Sequence, residues 1–424
     1  MVTQQDGTLT ARETLAIDGG RPVRDTAWPT YDKGDVWLTA DDEEAAIAAI
    51  RSRLYFRYDY REMDETHVGR LERSLCDYFG VEYALACASG TTAIALSLLG
   101  LDLPPDSPVA CPAFTFAATP SAIMLARHRP VLVECDENLH LDLDDLRRAL
   151  DAGVKAVVVV HMRGYASDMP AICALAASYG VPVVEDAVPA LGATLDGRPL
   201  GTYGVAGAFS TQSDKSLNTG EGGFLLTDDP DLFARAVVFS GAYEGRLARH
   251  FPDGRPPIDD LAYPIFGVRM DEIRGALALS LMNRLPARLA AHKRNSDRVT
   301  RGLSTIAGIA PRRSVSDTDG YLGEACIFRI PGADPARAAW VACALRAEGI
   351  AARSLGDAGD CNVRAFWNWR FLVGADASAA KRQWPRTARY LTEAIDIPLS
   401  ANLDEDDCDQ LVTAVDRVMS AVAR

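Results

Sequence analysis

The sequence predicts an α/β protein: a large domain on a mostly parallel sheet, followed by a smaller C-terminal α+β domain. Three observations lead there. Short apolar segments alternate with helical ones between residues 83 and 185, and strands apolar on both faces belong to a parallel sheet covered on both sides. The chain has 424 residues, whereas one hydrophobic core rarely grows past about 250–300. A long helical pattern from about Met270 to Leu303, with Ile273, Leu277, Leu281, Leu285 and Leu289 near one stripe, leads into a second set of alternating elements. The expected division is an N-terminal arm over 1–40, a large domain over 41–285 and a small domain over 286–424.

The arm is polar and broken by Gly-Gly and Pro. Asp41–Ser52 is a helix whose first aspartates suit the N-terminal dipole, and Val68–Phe79 is another, stopped by Gly80. The expected strands are then Tyr83–Ala88, Val109–Cys111, Pro130–Glu134, Val154–His161 and Val181–Glu185, with helices over Gly90–Leu99, Pro120–Ala126, Asp142–Leu150 and Met169–Tyr179 between them. Phe224–Thr227 is a further strand. The small domain reads as strand Ala325–Ile330, helix Pro335–Glu348, strand Ala351–Ser354 and a final helix Asp404–Val422.

Composition narrows the function. The net charge of −14, from 44 basic and 58 acidic side chains, disfavours binding to nucleic acid or an anionic membrane by bulk electrostatics. The nine cysteines are odd in number, scattered and free of any CxxC pair, which argues against a disulfide framework and a metal knuckle. No metal site is expected, and the location expected is the reducing cytoplasm. Met1–Arg12 lacks the apolar core of a signal peptide, and no run approaches 18 apolar residues, so no membrane span is expected.

In open parallel sheets ligands bind beyond the carboxyl ends of the strands. Polar residues just after each strand are therefore the candidates. Ser89-Gly90-Thr91-Thr92 lies between a strand and a helix, where backbone N–H groups and hydroxyls form either an anion site or an ordinary helix cap. Asp186 ends a strand, where a carboxylate pairs with a cationic ligand nitrogen or serves as a loop acid. Lys215 sits in GAFSTQSDKSLNTGEGG (Gly207–Gly223), between two short strands and beside a Gly-rich turn. A lone lysine is ordinarily a solvated surface group, but this context suits a Schiff-base nucleophile. Phe116 follows a strand and either stacks on a planar cofactor or packs in the core. His161 and Tyr165 line the site or are satisfied buried groups. The cluster Phe366-Trp367-Asn368-Trp369-Arg370 forms a wall of an acceptor pocket, with Arg364 or Arg370 on a carboxylate, or is small-domain packing. A nicotinamide-binding fold is disfavoured, because no GxGxxG follows the first strand and Gly201, Gly204 and Gly207 have the wrong spacing.

The ordered set SGT, PAFTFAAT, VVVVH, VVEDAVPALGA and GAFSTQSDKSLNTGEGG, with IDGGRPVR before it and YPIFGVRMDEIRGALAL and IPLSANLDEDD after it, resembles the DegT/DnrJ/StrS family of sugar and cyclitol aminotransferases. Gln212 with GEGG is most similar to the branch using glutamine as donor on cyclitols. The resemblance implies a fold-type I (aspartate-aminotransferase-like) enzyme dependent on pyridoxal 5'-phosphate, a homodimer with active sites at the interface. It would move an amino group from L-glutamine or L-glutamate to a cyclic ketone, a keto-sugar nucleotide or cyclitol, in specialised-metabolite (antibiotic) biosynthesis. By the same resemblance Lys215 holds the cofactor as a Schiff base and Asp186 pairs with its pyridinium nitrogen. Phe116 stacks on the ring, and Gly90, Thr91 and Ser210 contact the phosphate. Other chemistry on this scaffold (elimination, decarboxylation, oxidation) and a non-catalytic cofactor-binding regulator are the alternatives. Three positions depart from the family pattern: Pro189 where Gln or His is usual, Gly267 where an Asn is usual, and Glu134 where a strand usually ends in Asp.

Overall fold

The computed structural model describes residues 14–29, 37–213, 215–252, 254, 257–316, 319–357, 359 and 361–422; the rest of the expected arm, residues 1–13 and 30–36, lies outside them. The strands in chain order are β1 (Tyr83–Cys87), β2 (Pro108–Pro112), β3 (Arg129–Val133), β4 (Ala156–Val160), β5 (Val183–Asp186), the small hairpin β6 (Thr194–Leu195) and β7 (Arg198–Pro199), β8 (Ala206–Ser210), β9 (Gly223–Thr227), β10 (Ala310–Pro311), β11 (Ala325–Arg329), β12 (Arg353–Ser354) and β13 (Ala394–Pro398).

Seven strands form one sheet in the order β1-β9-β8-β5-β4-β2-β3. The pairs β2–β3, β2–β4, β4–β5 and β5–β8 are parallel, and β9 runs antiparallel to both its neighbours, β8 and β1. Every strand except β9 therefore points the same way. β9 is reversed because no helix separates it from β8, so the chain turns straight back instead of crossing over.

Side-chain parity explains the apolar strands. In β1, Leu85 and Cys87 join the core beneath helix Gly90–Gly100, while Ala84 and Ala86 face the opposite core with Leu71, Leu75 and Phe79 of helix His67–Phe79. All five residues of β4 are buried, as a strand covered on both faces requires. Helix Gly90–Gly100 is itself apolar nearly all round and lies buried against the sheet.

The second sheet is antiparallel throughout, in the order β10-β11-β13-β12. Phe328, Ile395 and Ile397 pack under helices Pro335–Ala347 and Glu405–Val422. Leu15 and Trp28 of the N-terminal segment join this core, and Trp28 Nε1 donates to the Pro398 carbonyl at 3.1 Å. Glu348 pins the segment further by accepting from the N–H groups of Ala16 (2.9 Å) and Val23 (3.0 Å).

Two expectations are corrected. The pattern from 270 to 303 is two helices, Glu272–Met282 and Leu285–Leu303. Pro286 lies in the first turn of the second, where its missing N–H does no harm; in the interior of one continuous helix it would break the hydrogen-bond ladder. One of the two inner strands of the second sheet, β13, was not among the expected strands. Its middle residue, Asp396, is buried in a salt bridge with Arg163 (2.8 Å), a partner 233 positions away, so its local pattern reads as too polar for a core strand.

Candidate active site

Because β1, β2, β5 and β8 run in parallel, the residues after each of them meet along one edge of the sheet. Helix Gly90–Gly100 begins there. Ser89 caps it, accepting from Thr92 N at 3.1 Å while Thr92 Oγ1 accepts from Ser89 N at 2.9 Å. This reciprocal cap satisfies Ser89 and Thr92, and the N–H groups of Gly90 and Thr91 have no acceptor within the helix. Gly90 is required by its neighbours: a Cβ there would lie 2.8 Å from Ser210 Cβ and 2.9 Å from Val188 Cγ2. Gly223 serves the same corner from β9, since its Cβ would lie 2.5 Å from Ser89 C and 2.6 Å from Gly90 N. The helix N-terminus, the Ser210 hydroxyl and the Gly-Gly end of the GEGG run are thus packed into a single cradle with positive dipole at its mouth.

Lys215 is half-buried in the loop joining β8 to β9. The loop is tied at its root by Thr211 N to Gly222 O (3.0 Å), Thr219 N to Thr211 O (2.8 Å) and paired Thr211 and Thr219 hydroxyls (2.6 Å). Lys215 N closes a turn on Gln212 O at 2.9 Å. Lys215 lies near enough to Asp186 for its charge to act on that carboxylate. Asp186 is buried at the end of β5, and burial pushes its carboxyl above the ordinary carboxylate range. A hydrogen bond from Thr119, another from Val188 N, and the charge of Lys215 oppose that rise. Phe116, just past β2, is 47 % exposed, and its neighbour Thr115 leads through Thr119 to Asp186.

The other expected site residues are largely engaged in the interior. His161 is fully buried: Nδ1 accepts from Ser167 N at 3.2 Å, so Nε2 carries the proton and donates to Glu185 Oε2 at 2.9 Å. Glu185 alternates with Asp186 in β5 and points to the opposite face, where Gly201 N and Gly204 N also donate to it. These glycines, whose spacing fits no nucleotide loop, bring a tight turn onto a buried carboxylate. Tyr165 is buried against Tyr321 (ring centroids 4.2 Å apart) and under the Arg312 guanidinium, and burial pushes its phenol up to about 12. Trp367 is buried against Phe366, with Lys381 Nζ 4.2 Å above its ring. His161, Tyr165 and Trp367 are thus the satisfied, packed groups that the sequence offered as the other reading of these positions. Arg370 is exposed at the start of helix Arg370–Val373, and it is Arg364 that lies over the Phe116 ring (5.9 Å). The same segment joins the site through Ala117 N to Val363 O (3.0 Å) and the Phe114–Ala365 bridge.

Thr119 and Thr115, a hydroxyl pair four residues apart around Phe116, were missed. Their spacing was a visible signal, but its target, Asp186, is 67 positions away. The departures from the family pattern have structural counterparts. Glu134 accepts from Arg386 N (3.1 Å), Thr387 N (2.8 Å) and Thr387 Oγ1 (2.5 Å), capping helix Pro385–Glu393 from outside. Gly267 has φ +67, a left-handed conformation that Gly and Asn adopt most readily, but it offers no side chain. Pro189 lies in a turn closed by Ala190 N to Ala187 O (2.8 Å) and has no donor to give.

The mostly parallel sheet with helices on both faces is the fold-type I architecture of pyridoxal-phosphate enzymes. The chain belongs to the DegT/DnrJ/EryC1/StrS aminotransferase family, whose profile matches residues 59–416, and aminotransferases of this family depend on pyridoxal phosphate. Among similar proteins, GDP-perosamine synthase of Caulobacter vibrioides is 34 % identical over 53 % of this chain, which spans 58 % of that relative's length. L-glutamine:2-deoxy-scyllo-inosose aminotransferase of Streptomyces kanamyceticus is 31 % identical over 76 % of this chain and 75 % of its own. Among solved structures, 3-amino-5-hydroxybenzoic acid synthase superposes with a TM-score of 0.77 at 24 % identity, covering 95 % of this chain and all of that one; this likeness is one of fold. The residues present fit pyridoxal phosphate on local grounds: a cradle that a Cβ at Gly90 would fill, an open aromatic face at Phe116, and a buried carboxylate whose raised pKa a cationic partner would relieve.

Proposed function

We propose that this chain transfers the amino group of L-glutamine or L-glutamate to a cyclic ketone, a cyclitol in preference to a keto-sugar nucleotide. The reading is supported chiefly by Lys215 acting on the buried Asp186, together with the close approach of Gly90 and Ser210 and the exposed Phe116. The choice of acceptor rests on relatives: the L-glutamine:inosose enzymes align over about three quarters of both chains, whereas the perosamine and UDP-sugar relatives align over 58 % and 44 % of theirs.

When bound, pyridoxal phosphate supplies an electron sink for charge developing at the donor's α-carbon and a carrier for the amine. The protein's own residues do the rest. The N–H groups of Gly90 and Thr91 and the Ser210 hydroxyl hold the phosphate, and Phe116 covers one face of the ring. Asp186 holds the ring nitrogen. Lys215 Nζ would anchor the cofactor and, when its amine is free, would move a proton between the donor's α-carbon and the cofactor. We further propose a homodimer. Leu261 (89 % exposed), Ile265 and Phe266 expose apolar side chains in the segment leading to Val268, whose carbonyl accepts from Ala88 N just before Ser89 (2.8 Å). A second copy covering that segment would lie near the cradle.

The test is a visible absorbance scan of the protein loaded with pyridoxal phosphate, before and after L-glutamine and then L-glutamate, with release of the keto acid measured. The expected result is loss of the lysine-bound cofactor band on adding donor, and its return on adding a keto-cyclitol. A band that no donor bleaches would refute amino transfer. Normal cofactor anchoring in Lys215→Ala would refute the site.

A further inference from the structure

The orientation of Asp186 is set by a buried chain of hydroxyls. Thr119 Oγ1 donates to Asp186 Oδ2 at 2.7 Å, and Thr115 Oγ1 lies 2.6 Å from Thr119 Oγ1. Both threonines are fully buried. Each hydroxyl has one proton to give. An ionised Asp186 only accepts, so the Thr119 proton is committed to Oδ2, and the Thr119 oxygen must receive the proton of Thr115. Among the described residues the competing acceptor for Thr115 is the Phe116 carbonyl, 3.4 Å away, a weak contact. The protons therefore run in one order, from Thr115 to Thr119 to Asp186. The second carboxylate oxygen, Oδ1, receives Val188 N at 3.3 Å, long for such a bond, and keeps accepting capacity in hand.

We propose that Thr119, backed by Thr115, is a positioning residue that turns Asp186 Oδ2 inward and presents Oδ1 to the cofactor's ring nitrogen. This rests on the assignment of Asp186 as the partner of that nitrogen. One short segment then does two tasks, presenting Phe116 outward and two hydroxyls inward. The other groups near this carboxylate are Lys215, which favours its charge, the neutral His161 imidazole, and the buried thiol of Cys111, which is close enough to feel it.

The test compares wild type, Thr119→Val, Thr119→Ser and Thr115→Val, each loaded with ring-15N pyridoxal phosphate, reading the ring-nitrogen chemical shift against pH and cofactor affinity by fluorescence titration. A hydrogen bond to a charged group of this kind is expected to shift the ring-nitrogen titration in Thr119→Val to lower pH by roughly one to two units and weaken affinity roughly tenfold or more. Thr119→Ser should restore both, and Thr115→Val should shift the titration the same way by less. If Thr119→Val does not fold, the inference stands or falls on Thr115→Val. Uptake with a wild-type ring-nitrogen titration in both valine variants would overturn this inference alone. A wild-type chain that takes up no cofactor would overturn the reading of the site and the inference with it.

Discussion

Replacing Gly90 by alanine adds one carbon at the tightest point of the cradle. That carbon would lie 2.8 Å from Ser210 Cβ and 2.9 Å from Val188 Cγ2, against about 3.5–4.0 Å for relaxed carbon contacts, so something must move by roughly 0.6–1 Å. The helix cannot easily retreat. Its start is flanked by Gly223 of β9, and its far end meets Leu232 at Gly100, where an added Cβ would lie 2.8 Å from Leu232 Cγ. Overpacking of this kind costs about 1–3 kcal/mol, while alanine's helix propensity returns at most about 1 kcal/mol. The net expectation is a loss of about 1–2 kcal/mol in the cofactor-free protein, with Ser210 displaced. Cofactor affinity should fall about tenfold to hundredfold, because the cradle's donors no longer converge. Gly80→Ala is the control. Gly80 ends helix His67–Phe79 at φ +68 with no atom within 4 Å of an added Cβ; its cost of about 1–2 kcal/mol is backbone strain alone, and affinity should not change. Urea unfolding without cofactor and fluorescence titration with pyridoxal phosphate measure both quantities. Equal affinities in the two variants would refute the cradle.

Glu134→Asp restores the residue usual in the family but is one methylene short, about 1.3–1.5 Å. Its carboxylate should lose Arg386 N and Thr387 N, lowering stability by about 1–3 kcal/mol, and an unchanged urea midpoint would sink the capping role. Asp186→Asn tests the buried charge. Burial raises this carboxyl above 3.8, so folding favours its protonated form; the stability cost is absent below that pH, grows as pH rises through the folded value, and is complete above it. At pH 7.5 cofactor-free Asp186→Asn should therefore unfold at a urea concentration no lower than wild type while holding cofactor poorly, and a clear drop in its midpoint would contradict this. Burial lowers His292 from 6.5 to about 4 and His140 to about 3. Their neutral forms are favoured by folding, so this contribution is complete above pH 6.5 and is lost as pH falls toward 4. Urea midpoints between pH 7.5 and 4.5 should fall less steeply in a His140→Gln, His292→Gln variant.

Much of the fold was legible because its causes are local. Runs such as AVVVV in β4, separated by capped helices, have few solutions other than a covered parallel sheet. The left-handed Gly80 marked a helix end by its own conformation. Pro286 was a local signal that the long periodic pattern concealed. β13 was not legible, because Asp396 acquires its partner, Arg163, only through folding.

For the site, the sequence by itself determined the residue types at the strand ends: a lysine in a Gly-rich loop, an aspartate after VVE, an aromatic after a proline-bounded strand, and small residues at a helix start. It could not determine which way those side chains face. Glu185 and Asp186 are adjacent and chemically alike. Strand parity sends one to His161 and the Gly201–Gly204 turn and the other to Thr119, and which face becomes the cleft depends on which helices pack against the sheet. For the same reason His161, Tyr165 and Trp367, polar or aromatic residues in suggestive places, lie in the interior. The partners of Asp186 and Glu134 are 67 and about 250 positions distant. A hydrogen bond requires its groups to meet within about 3 Å, and over such separations only the tertiary structure decides which groups meet.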